Sequence, residues 1–113
     1  MYTIDFQTIM GGGGSPSRPS NDVIELKIRM YSQRYWKRSI TELNVFQRCA
    51  LEFVLVNYFE YPKTCCAARF QISRVQVHRD LQRAVDLIRY PKLYRQASDK
   101  FLSEIRRIYR YIL

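Results

Sequence analysis

The longest apolar run, residues 40–59, carries hydrophobic side chains at Leu43, Phe46, Ala50, Val54 and Tyr58. Steps of three and four gather them on one face of a helix. The run is too long and too apolar for a surface strand. Ser39 and Glu42 stand at capping-box spacing ahead of it. Pro62 marks its end, because the residue before a proline avoids helical geometry. A chain built round such a segment is expected to be all-α. The stretch from about 92 to 111 agrees, with Phe101, Ile105, Ile108 and Ile112 recurring at +4, +3 and +4. Upstream, Ile24, Leu26, Ile28 and Met30 alternate as in a strand, whereas Asp22 and Glu25 have capping-box spacing. A helix over about 22–34 is preferred there, since everything after it is helical. Residues 1–21 hold four glycines at 11–14 and then Ser15, Pro16, Ser17, Arg18, Pro19 and Ser20. They read as a flexible, disordered Gly/Ser/Pro-rich tail. Residues 22–113 read as one small helical bundle.

Charge narrows the partners. The 113 residues suit a single domain, and a hydrophobic content of 47% argues against disorder of the whole chain. A net charge of +9 favours a polyanion: DNA, RNA or an anionic membrane. The membrane is the weakest of these. The most apolar stretch, 49–59, is broken by Glu52 and Asn57 and is shorter than the roughly 20 residues a spanning helix needs. Met1 to Met10 lead into glycines, not into a signal-peptide cleavage site. The expected location is therefore cytoplasmic: the nucleoid of a bacterium, or the nucleus in a viral or eukaryotic setting. Cys49, Cys65 and Cys66 are odd in number and badly spaced for zinc, and His78 is the sole histidine. The cysteines read as small buried apolar residues. Paired carboxylates, a nucleophile with its base and a phosphate loop are all missing from the pattern. Neither an enzyme nor a cofactor or metal is expected.

The chemistry-bearing segment is 67–83, A-A-R-F-Q-I-S-R-V-Q-V-H-R-D-L-Q-R. It reads as a short helix over 63–70, a break at Gln71 and Ile72, and a second helix capped by Ser73 and running to about Ile88. That is the layout of a helix-turn-helix. Ala67 is small where the helices cross. Phe70, Ile72, Val77 and Leu81 are the apolar plugs. The other face of the second helix, about 73–86, is left for the major groove of DNA. Arg74 has the chemistry to pair bidentately with a guanine, Gln76 with an adenine, and Val75 to press on a thymine methyl. Ser73, Arg79, Lys63 and Arg83 suit phosphates, and His78 suits a phosphate or groove contact. Asp80 facing DNA would be repelled, so it is expected to point aside and pair with an arginine.

This stretch resembles the helix-turn-helix of bacterial transcription regulators, and is most similar to the stage III sporulation protein D family. The carrying residues are Val77, His78, Arg79, Asp80 and Leu81, followed by Pro91 and a final basic helix from Lys92. The likeness extends over about 44–110 and is specific within 67–81. It implies a sequence-specific transcription regulator that binds double-stranded DNA. Three departures stand out. Gln71 occupies the turn position usually taken by glycine, which adopts a left-handed backbone without strain. Residues 1–39 have no counterpart in the family. The C-terminal helix ends at Leu113 without a basic tail.

The final helix is expected either to touch DNA through Arg106, Arg107 and Arg110, or to form a homodimer through Tyr109 and Ile112. A dimer implies half-sites about 34 Å apart. Tyr31, Tyr35 and Trp36, interleaved with Arg34, Lys37 and Arg38, read as core and rim. The rival readings are a small basic RNA-binding or viral accessory protein, and a helical protein-interaction adaptor whose basic face is only solvated.

Overall fold

A computed structural model describes residues 18–93 and 95–113. Among them the fold is all-α, without strands. Helix α1 spans Asn21–Tyr31 and continues into a π-helical turn, Ser32–Trp36. Helix α2 spans Val45–Tyr58, α3 Lys63–Phe70, α4 Arg74–Arg89 and α5 Arg95–Ile112. The glycine-rich part of the expected tail lies outside the described residues. Arg18 already belongs to the folded unit, donating to the Phe59 carbonyl and to Asn21 Oδ1.

The period of α1 is helical. Ile24, Ile28 and Tyr31 are buried, while Leu26 is 57% and Met30 50% exposed. The strand-like alternation was therefore two helical faces interleaved. Its cap is Ser20, two residues before Asp22, whose hydroxyl accepts from the Val23 N–H at 3.3 Å.

Helix α2 begins later than the Ser39–Glu42 spacing suggests. The Ser39 hydroxyl is engaged with Thr41 at 3.1 Å, and Ser39–Glu42 closes only a turn. Asn44 and Gln47 form the real box. The Gln47 N–H donates to Asn44 Oδ1 at 2.8 Å, and the Asn44 N–H to Gln47 Oε1 at 3.2 Å. Two orphan donors are thus satisfied reciprocally. The helix stops before Glu60, which takes a left-handed φ of 53°. Pro62 does not close α2 but opens α3, where its missing N–H is no loss. Helix α5 starts at Arg95, not 92, because the Leu93 N–H donates to the Tyr90 carbonyl at 3.1 Å and closes a turn first.

Seven consecutive α2 residues, Cys49 to Leu55, are buried. A helix enclosed on all sides must lie at the centre of the bundle. Helices α4 and α5 cover two of its flanks. Ring contacts Phe46–Phe101 at 5.6 Å and Tyr58–Tyr109 at 5.9 Å show that α2 and α5 run side by side in the same direction. Helix α1 lies on α5, with the Tyr31 hydroxyl donating to Glu104. It is also tied to the α2–α3 corner, where Glu25 accepts from the Tyr61 hydroxyl at 2.7 Å and pairs with Arg69 at 3.1 Å. Tyr109 and Ile112 are buried inside this packing. Both side chains are thus spent within one chain and are not presented for contact with a second copy. No helix among the described residues is long and apolar enough to cross a membrane.

Candidate nucleic-acid interface

Helices α3 and α4 meet at a tight turn whose backbone is fully determined. Gln71 takes φ 55° and ψ 50°, the left-handed geometry that glycine adopts without strain. The Ile72 N–H then reaches the Ala67 carbonyl at 3.0 Å, the six-to-one bond of a Schellman motif. Ser73 caps α4, its hydroxyl accepting from the Gln76 N–H at 3.1 Å. Phe70, Val77, Leu81, Ala84 and Val85 are buried, and Ile72 packs against the same core. The turn demanded a left-handed residue, and glutamine supplies it at some conformational cost.

The outward side of α4 follows from this inward one. Arg74, Val75, His78, Arg79, Gln82 and Arg83 are exposed, Val75 to 60%. Lys63, at the start of α3, shares a cleft of about 690 Å³ with His78, Gln82 and Arg89. Arg79 and Arg83 rim a second cleft of about 590 Å³ with an apolar floor that includes Phe46 and Leu87. Of α4's two carboxylates, Asp86 lies on this rim and accepts from the Gln82 amide at 3.2 Å. The other, Asp80, is withdrawn.

Asp80 is 1% exposed. Arg48, on α2, donates to it twice, Nε to Oδ2 at 2.6 Å and Nη2 to Oδ1 at 3.0 Å. Burial acts to raise the Asp80 carboxyl, but hydrogen bonding with Arg48, then Glu52 and Gln76, outweighs it and holds the group below its ordinary value. Glu52 completes the cluster, with Arg48 Nε 3.9 Å away. It is fully buried, beside the Asp80 carboxylate. Burial, reinforced by the hydrogen-bonding proximity and charge of Asp80 and only partly opposed by Arg48, pushes it up to about 10. This shift favours the neutral form.

Gln76 departs from the sequence reading. Its Nε2 donates to Asp80 Oδ1 at 2.9 Å, and the side chain is half-buried. Bidentate pairing with adenine needs both ends of the amide. That pose is unavailable while the Asp80 bond stands. Ser73 is also partly committed, since its oxygen caps the helix. Asp80 points aside and pairs with an arginine, Arg48. Neither Arg48 nor Glu52 was singled out from the sequence. The available signal was a pair of opposite charges four residues apart inside an otherwise apolar helix.

The cysteines stand apart from this face. Cys49 and Cys66 are buried and Cys65 is half-buried, all as free thiols. Burial pushes the Cys49 and Cys66 thiols well above their usual range. Among the described residues no group of histidine, cysteine or acidic side chains is arranged to hold a metal ion. No protein-family model, curated protein or solved structure matches this chain.

Proposed function

We propose that this protein is a sequence-specific regulator that reads duplex DNA, with α4 lying in the major groove. The observation that carries the reading is the division of α4 into two faces. One is fixed into the core through Val77, Leu81 and the Asp80–Arg48 pair. The other presents Arg74, Val75, His78 and Arg79 in its first two turns, with no carboxylate until Asp86. A recognition helix reaches base edges with its first residues, and a phosphate-lined groove repels exposed acids. The resemblance of residues 67–81 to bacterial helix-turn-helix regulators of the stage III sporulation protein D type supports the same reading.

In this mechanism Arg74 makes the bidentate guanine contact and Val75 the thymine-methyl contact. Arg79, Arg83 and Lys63 hold phosphates and set the register without reading sequence. Gln76 acts behind them. By fixing Asp80, and through it Arg48, it holds the first turns of α4 at a set angle to α2.

The test is selection from random duplex DNA at physiological salt, followed by sequencing of what is retained. Enrichment of one short motif is expected. Arg74→Ala should weaken binding to that motif by about 1–3 kcal/mol and relax preference at one position. Arg79→Ala should weaken all sequences alike. Retention without a motif, fading as salt rises, would overturn sequence reading in favour of nonspecific polyanion binding. An Arg74→Ala variant with unchanged preference would overturn the placement of α4.

A further inference from the structure

Arginines also gather far from α4 in sequence, where the π-helical turn meets the C-terminal half of α5. A cleft of about 440 Å³ is lined by Tyr35, Ser103, Arg106, Arg107, Arg110 and Tyr111. No carboxylate lines it among the described residues, and it shares no lining residue with either cleft of α4. Arg34 and Arg107 both stand over the Tyr35 ring, at 5.4 and 5.3 Å from its centre. The ring face attracts each cation. Two guanidiniums over one ring nevertheless repel one another, and Glu104 offsets only part of this, lying 3.8 Å from Arg107.

The backbone here is unusual as well. π-Helical turns are rare and concentrate at functional sites. This one ends with the Lys37 N–H on the Ser32 carbonyl and Lys37 at φ 55°. It keeps Tyr35 packed at a tilt against buried Tyr31 at 4.6 Å and edge-on to Tyr111 at 6.0 Å. Tyr31 is anchored in turn to Glu104 on α5. The tyrosines beneath the arginines are thereby tied to α5. Planar guanidiniums with several donors each match phosphate oxygens.

We infer that this surface is a second phosphate-binding site, which grips the sugar-phosphate backbone of duplex DNA independently of base sequence. It deepens the proposed DNA reading and rests on it for the identity of the polyanion. The protein then holds DNA through two surfaces: α4, which discriminates, and the α5–π-turn surface, which adds affinity alone.

The full-length chain and its Arg34→Gln/Arg110→Gln variant provide the test, because both side chains are exposed. Affinity for the selected duplex and for a scrambled duplex is measured from 50 to 300 mM salt. Each lost phosphate contact makes the slope of log K against log salt shallower by about 0.9. The variant should therefore lose about 1.8 from the slope on both duplexes, with the same selected motif and an unchanged melting temperature. An unchanged slope with the motif intact would overturn the second site and leave the α4 reading standing. A wild type that prefers no motif, yet loses slope in the variant, would overturn the α4 reading and leave the phosphate site. A wild type that binds neither duplex at 50 mM salt would overturn both.

Discussion

A carboxyl withdrawn from water and set beside the Asp80 carboxylate resists ionisation, and in Glu52 the effect is large even with Arg48 opposing it. Its folded-state value, about 10, lies above its unfolded value near 4.5. A raised group contributes stability that is fully present below the unfolded value and is lost as pH rises toward the folded one. Asp80 has the opposite sign. Its folded value is lowered, so its contribution is present above the unfolded value and is lost as pH falls through the folded one. From this pair alone, stability should be greatest near pH 4 to 5 and decline through neutrality, at no more than about 1.4 kcal/mol per pH unit. Glu52→Gln keeps the shape and cannot ionise. Urea unfolding from pH 5 to 9 should show the variant gaining on the wild type as pH rises. Parallel stability curves would mean that Glu52 is already charged at pH 7.

Capping and periodicity explain both what the sequence disclosed about the elements and what it concealed. The α3–turn–α4 segment was legible almost to the residue, because Gln71–Ile72 and Ser73 are local signals that the structure uses as written. The start of α2 was not. Two capping patterns compete there, and tertiary packing of Ile40 and Leu43 keeps the first one in a turn. In α1 alternation misleads, since Leu26 and Met30 are apolar residues left on the outer side. Mutagenesis separates the two faces cleanly. Ile28→Ala should destabilise by about 2–5 kcal/mol, as a large-to-small change in a packed core. Leu26→Lys should stay within about 0.5 kcal/mol. Equal losses at both sites would mean that α1 is covered on both faces. The inward turn of Gln76 was illegible for a different reason. Its partner Asp80 lies on the same helix, but the pair faces inward only because Arg48 waits on α2, 32 residues before Asp80.

The same long-range tie governs the molecule as a whole. Helix α4 takes its core face from α2 and α5, its buried carboxylate is neutralised from α2, and α3 is held from behind by Glu25 of α1. Isolated helices of 8 and 16 residues are marginal in water. A peptide of residues 62–90 strips Asp80 of its partner and Val77, Leu81 and Val85 of their wall. Circular dichroism should find it mostly unfolded at 25 °C, and it should fail to retain the motif that the full chain selects. A helical, motif-binding peptide would show the reverse. By this expectation the α3–turn–α4 segment is not a portable cassette. On the proposed DNA reading, moving the segment to another scaffold means transplanting the Arg48-bearing helix with it, and changing its target would call for edits at Arg74 and Val75 that leave the buried anchor alone.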